Sequence, residues 1–128
     1  MKRAAVALLL LGALSYPAEK KRRAPEVEVV EISVRRAGGN IALDGKVRNV
    51  SEKPQHGITV LFDFGGTEHQ VISTNKTAAA EDNVAPQEEA EFHAQTPDLA
   101  RAVEVTVRAE DKNEKDLRVG KAGPYPIE

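Results

Sequence analysis

"LDGKVRNVSEKP", Leu43 to Pro54, alternates apolar and polar residues and then breaks into a turn. With Ile41 just before it, Leu43, Gly45 and Val47 share one parity, and Asp44, Lys46 and Arg48 share the other. A period of two is the pattern of a strand with one face on a core and one in water. Ser51-Glu52-Lys53-Pro54 ends the strand, because proline has no N–H to give a central ladder. Asn49 and Ser51 admit two readings, a ligand site or the polar close of a strand. Their short side chains bond nearby backbone in turns, so the stretch is read as a strand and the turn that ends it. Gly45, in mid-strand, predicts that another chain or a large side chain packs close to the backbone there.

The same period recurs on both sides. Upstream, "EVEVVEISVRR" places Val27 and Val29 on one parity and Val30, Ile32 and Val34 on the other. That shift predicts a bulge or a strand that changes sheets. "AGGN", Ala37 to Asn40, supplies the turn into the quoted strand. Downstream, Ile58, Val60, Phe62 and Phe64 share one face, and Gly65-Gly66 reads as a tight hairpin. "TEHQVIS" then returns as an edge strand over Thr67 to Thr74. Asn75 to Gln87 has no clean period and is read as a loop that can hide a short strand. Ala90, Phe92 and Ala94 alternate inward, with Phe92 facing Phe62 or Phe64 across the core. "TPDLARA" predicts one helical turn, with Thr96 as its cap and Pro97 at its first position. Val103, Val105 and Val107 point inward, "EDKNEKD" is a charged hairpin loop, and "LRVGKAGPYPI" closes the chain. About seven strands at this spacing predict an all-β, immunoglobulin-like antiparallel sandwich over residues 26–128.

The N-terminus reads differently. Lys2 and Arg3 precede an apolar run from Ala4 to Leu14, too short to span a bilayer of ~30 Å as a helix. Residues 1–18 are therefore expected to be a signal peptide cleaved after Ser15 or Ala18, with a basic linker over 19–25. Lys20 to Arg23 is "KKRR", and positive charge directly after the apolar run opposes translocation. An uncleaved anchor is the competing reading. The expected location is secreted or periplasmic, with no membrane insertion after cleavage.

The 128-residue chain has a net charge of −2. Without Lys2 and Arg3 its 18 basic residues fall to 16 against 20 acidic ones, a net charge of −4. A mildly acidic protein has no electrostatic reason to bind nucleic acid. There is no cysteine, which excludes disulfides, thiolate metal sites and a cysteine nucleophile. There is no tryptophan either, and the core claims nearly every ring, which leaves little for base or sugar stacking.

Three segments also carry a resemblance. "GKVRNVS" (Gly45 to Ser51), "LFD" (Leu61 to Asp63) and "PQEEAEF" (Pro86 to Phe92) resemble the FxLYD-type bacterial extracytoplasmic domains. Those pair a Gly-x-Val-x-Asn-x-Ser strand with a Leu-Tyr-Asp strand and a Pro-Gly-Glu-x-x-x-Phe segment. The similarity spans about Val27 to Ala109. It departs at Thr59, where the pattern has Phe, at Phe62 for Tyr and at Gln87 for Gly. It implies a small exported immunoglobulin-like sandwich, and it brings no catalytic residue.

Candidate chemistry is sparse. His56, His69 and His93 have no paired-ligand spacing. Asp111 and Asn113 alternate as in a calcium loop, but no glycine stands at position six and position twelve is Ala122. Glu89 and Glu91 share an outward face and read as an ordinary charged surface. Ser33, Ser51 and Ser73 have no nucleophile-elbow context. Asn49-Val50-Ser51 and Asn75-Lys76-Thr77 match the glycosylation sequon, which matters only in a eukaryotic secretory pathway.

No catalytic residue, cofactor or metal ligand is expected. The function expected is an exported, non-catalytic binding or accessory module, acting as a monomer. A small envelope hydrolase or metal-binding protein is the alternative. An unidentified protein partner would bind along the edge strand and its loop, at Val71, Ser73, Asn75 and Lys76, because an unpaired edge can accept an added strand.

Overall fold

The computed structural model describes residues 23–128. The expected signal peptide, and the linker up to residue 22, lie outside the described residues. Eleven strand segments follow in order: β1 (Val27–Ala37), β2 (Asn40–Asn49), β3 (Gln55–His56), β4 (Thr59–Gly65), β5 (Val71–Ala78), β6 (Asn83–Val84), β7 (Glu89–Pro97), β8 (Glu104–Glu110), β9 (Asp116–Leu117), β10 (Val119–Gly120) and β11 (Tyr125–Pro126). They build two facing sheets, β10-β1-β2-β7 and β11-β8-β4-β5, with β9 paired to β8 and a small β3–β6 ladder at one end. Every pairing is antiparallel except β1 with β10. This is the immunoglobulin-like sandwich the spacing predicts, with the three C-terminal segments standing in for a seventh long strand.

The quoted stretch behaves as read. β2 alternates along its whole length, with Ile41, Leu43, Gly45, Val47 and Asn49 buried. Opposite it, β1 shifts register between Val29 and Glu31. Val27, Val29 and Val34 stay in the core while Val30 is thrown out to solvent, so the parity break is a bulge. Phe62 and Phe92 meet across the core with ring centroids 5.5 Å apart and tilted by 51°. Gly45 is what lets them meet. A Cβ there would lie 2.2 Å from the Glu31 carbonyl oxygen in the bulge and 2.6 Å from Phe92 Cζ.

Asn49 closes β2 from the inside. Fully buried, it donates from Nδ2 to the Lys53 and Val84 carbonyls, at 2.9 and 2.8 Å. Its Oδ1 accepts from the Ser51 N–H and hydroxyl at 3.0 and 2.7 Å. Both residues are thus spent on a turn, and Asn49 is no surface acceptor for a glycan.

Elsewhere the structure corrects the expected elements. The segment from Thr96 is not a helical turn: Thr96 and Pro97 complete β7, paired with Ile41 and Asn40. The loop that follows is held by Arg36, which donates to Asp98 at 2.8 Å and to the Leu99 carbonyl at 3.2 Å. The backbone turn lies further on than expected, at Leu99 to Ala102, closed by the Ala102 N–H on the Leu99 carbonyl at 2.9 Å. Val103 is 41% exposed, because it precedes β8 and lies outside the ladder alternation. Val105 and Val107 are buried as expected. The β4–β5 connection is not a two-residue Gly-Gly turn. It runs through Gly66 to Gln70, and His69 takes the left-handed conformation (φ 65°) with its N–H on the Gly66 carbonyl. The edge strand therefore begins at Val71, not Thr67, and continues to Ala78 through residues read as loop. The remaining loop holds the short β6, as allowed for.

Candidate functional site

Among the described residues β5 is the outer strand of its sheet, with β4 as its ladder partner. Which of its backbone groups face outward follows from one bond. The Ala79 N–H donates to the Ile58 carbonyl at 2.9 Å, continuing the register that pairs Thr59 with Ala78. In an antiparallel ladder, hydrogen-bonded pairs alternate with unbonded ones. Thr77, Asn75 and Ser73 therefore turn their N–H and C=O toward β4, and Lys76 and Thr74 turn theirs out. The register shifts beside Phe64, and Gly66 N–H donates to the Gln70 carbonyl at 2.9 Å below it, which turns Val71 outward too. The side chains of Val71, Thr74, Lys76 and Ala78 are exposed on the outer face, while those of Ile72, Ser73, Asn75 and Thr77 are half-buried.

The four residues expected at this edge fall on both sides of the ladder. Val71 and Lys76 turn their N–H and C=O outward, with no backbone partner among the described residues. Ser73 and Asn75 do not, because their N–H groups are committed to β4 and their side chains turn inward opposite Phe64 and Phe62. Thr74 takes their place. Sequence reading missed it because alternation gives side-chain faces but not the phase of the ladder.

The open edge has a fixed length. At its far end the two sheets touch: Ala80 N–H donates to the Glu91 carbonyl at 2.8 Å and the Thr77 hydroxyl to the His93 carbonyl at 3.1 Å. Val71 to Lys76 remain accessible. The flank behind them is stiff. Asp63 accepts two bonds from Arg108, at 2.6 and 3.1 Å, and one from Thr74 at 2.7 Å. Arg108 holds the Asp63 carboxyl below its ordinary range, with Thr74 assisting and partial burial opposing. Leu61, paired with Lys76 on one side and Arg108 on the other, is buried on this outer face, which suits the apolar stems of both neighbours.

The other candidate chemistry disperses. On the outer face of the β1–β2–β7 sheet, Ser33, Asp44 and His93 form one row across three strands, and Glu31, Lys46 and Glu91 the next. The row has the wrong order for acyl transfer, since Asp44 stands between the serine and the imidazole. His93 Nδ1 lies 2.7 Å from Asp44, and its Nε2 lies 3.5 Å from Glu91. Because opposite ring nitrogens engage the two acids, one metal ion could not take all three. Hydrogen bonds to Asp44 and then Glu91 raise the His93 pKa. An open depression of about 330 Å³ lies over these rows. His69 pairs with Glu104 at 2.8 Å, which likewise raises its pKa, and His56 bonds Asn83. The three histidines do not converge, and no group of three metal-ligating side chains occurs among the described residues. Asp111 spends its carboxylate on the Asn113 and Lys115 N–H groups at 2.8 and 3.0 Å, as a hairpin loop does. Glu89 pairs with Arg48 at 2.6 Å. Among the described residues no helix is long and apolar enough to cross a membrane.

No family model matches the chain, and no curated protein matches it by sequence. Solved structures similar to it include IrmA from Escherichia coli, with a TM-score of 0.49 and 11% identity over 80% of this chain and 95% of that one. Another is the beta-glucuronidase of Bacteroides uniformis, with a TM-score of 0.48 and 14% identity over 73% of this chain and 12% of that one. A third is the alkylpurine DNA glycosylase AlkC of Pseudomonas fluorescens, with a TM-score of 0.43 and 10% identity over 76% of this chain and 31% of that one. At these scores neither a site nor an activity transfers to this chain.

Proposed function

We propose that this chain is an exported, non-catalytic binding or accessory module of the cell envelope, a secreted or periplasmic monomer that takes a protein partner along the β5 edge. The observation that carries the reading is the set of outward backbone groups on Val71, Thr74 and Lys76, unpaired among the described residues, on a sheet braced by the Asp63–Arg108 pair. Unpaired ladder groups are a ready template for another strand. Export rests on Lys2, Arg3 and the apolar run Ala4 to Leu14. The FxLYD resemblance supports the same reading. Gln87 sits where that pattern has glycine, and it holds the left-handed conformation (φ 73°) glycine would take freely.

Two measurements test this. Expressed with a C-terminal tag in a bacterial host, the chain should appear in the periplasm with a mass that starts at Tyr16 or Glu19. Cytoplasmic protein with an intact N-terminus would overturn export. Envelope proteins retained by the wild type should be lost with Thr74→Pro, once that variant is shown to be folded. Retention unchanged by the substitution would move the site off the edge. A second reading, a small hydrolase or metal-binding protein, is favoured only by the depression beside His93 and Asp44. Stoichiometric zinc in the purified protein, lost in His93→Gln, would replace the first reading with that one.

A further inference from the structure

The β5 edge is not uniform. At one end Lys76 is exposed and takes part in no ion pair among the described residues. The flanking Asp63 is already neutralised by Arg108. At the other end Val71 is 63% exposed, more than any other large apolar residue described. Val71 pairs with Gly65, and Gly65 with Glu104, whose carboxylate is engaged by His69 at 2.8 Å. Thr74 lies between, its hydroxyl committed to Asp63. The edge thus has a cation at one end and an exposed apolar side chain at the other, along one row of outward N–H and C=O groups.

We propose that the partner of this edge is an extended protein segment that adds antiparallel to β5, with an Asp or Glu opposite Lys76 and an aliphatic residue four positions later opposite Val71. The spacing follows from the register. Lys76, Thr74 and Val71 face outward in turn, and Ile72 and Ser73 together count as one position because both oppose Phe64 at the bulge. Backbone bonds to Thr74 and Lys76 hold the segment, and its two side chains set its direction. A reversed segment would set its acid by Val71 and the His69–Glu104 pair, away from Lys76, and its aliphatic residue away from Val71, so it is disfavoured twice. The ladder is short, because the Ala80–Glu91 contact blocks it beyond Thr77. Binding is therefore weak and reversible. This inference rests on the edge-binding role proposed above and adds the partner's chemistry.

The test uses blocked heptapeptides and isotope-labelled protein of residues 19–128, monitored by amide chemical shifts. Thr-Glu-Thr-Thr-Thr-Val-Thr should shift the amides of Val71, Thr74 and Lys76 in the millimolar range. The reverse-order peptide, of identical composition, should bind at least fivefold more weakly. Lys76→Glu should abolish the preference, and a peptide with Lys in place of Glu should restore binding to that variant. Thr74→Pro, with an unchanged melting temperature, should bind neither peptide. Equal binding of the two orders, shifts centred away from β5, or no shift at all would overturn the proposal, the last leaving Lys76 and the bulge as guards against aggregation. Concentration-dependent shifts of β5 without peptide would also overturn it, in favour of a second copy at the edge. If the peptide fails while an envelope protein is still captured in a Thr74-dependent way, the binding role stands and only this partner chemistry falls.

Discussion

Phe92→Ala is the sharpest test of the core, because the ring touches two independent features. Phe92 is 1% exposed, meets Phe62 in a tilted contact at 5.5 Å and covers Gly45, where a Cβ would come within 2.6 Å of its Cζ. Truncating a buried phenylalanine costs ~3–5 kcal/mol, transfer and cavity terms together. For a domain of about a hundred residues each kcal/mol lowers Tm by about 4–8 °C, so the fall should be roughly 12–40 °C. Thermal and urea unfolding followed by circular dichroism measure it. Gly45→Ala adds a cross-check. In the parent the new methyl meets both the ring and the Glu31 carbonyl oxygen, at 2.6 and 2.2 Å, and overpacking of this kind costs ~1–3 kcal/mol. In the Phe92→Ala background the ring is gone and only the carbonyl remains. Gly45→Ala should then cost less by about 1 kcal/mol, a coupling of the size expected for residues in contact. Two results would refute the packing: a Phe92→Ala variant that melts with the parent, or an identical cost for Gly45→Ala in both backgrounds.

Other expectations follow from single residues. Pro86 and Gln87 form the centre of a turn closed by the Glu88 N–H on the Ala85 carbonyl at 3.0 Å, with Gln87 at φ 73°. Gln87→Gly should relieve that strain and stabilise the domain by about 0.5–1 kcal/mol, read as a rise in Tm. Asn49→Ala removes a bond to the buried Val84 carbonyl and one to the part-buried Lys53 carbonyl and frees the Ser51 turn, which should cost about 2–4 kcal/mol at roughly 1 kcal/mol for each lost bond plus desolvation. A loss under 0.5 kcal/mol in urea unfolding would contradict that network. His69 and His93 have pKa values raised above the ordinary 6.5, so the folded state holds these protons more tightly than the unfolded chain. Their stabilising contribution is complete below that ordinary value and is lost as pH rises through the folded pKa values. Tm of the parent should therefore exceed that of His69→Gln/His93→Gln at pH 5.5 and converge with it by pH 8. The contribution is small because both side chains are solvated, and parallel curves would refute the two pairings.

Alternation alone placed most of the core. Ile41, Leu43 and Val47 on β2, Val60, Phe62 and Phe64 on β4, and Phe92 on β7 are buried where a period of two puts them, because one face of each strand must leave water whatever its neighbours are. Gly45, the parity break at Val30 and the polar close at Asn49 were legible for the same reason, each being a local departure with a local cause. What the residues could not supply was decided by pairing across the fold. Asn75 to Ala78 look like loop but are strand because β4 offers them a ladder. Thr96 and Pro97 look like a helix start but are strand because β2 extends opposite them. His69, not Gly65 or Gly66, carries the left-handed turn. The edge shows the limit most clearly. Sequence gives which side chains share a face, but the choice of Thr74 over Ser73 as the outward backbone group depends on where the hydrogen-bonded pairs fall and on a bulge beside Phe64. Both are properties of two strands together, and neither strand encodes them alone.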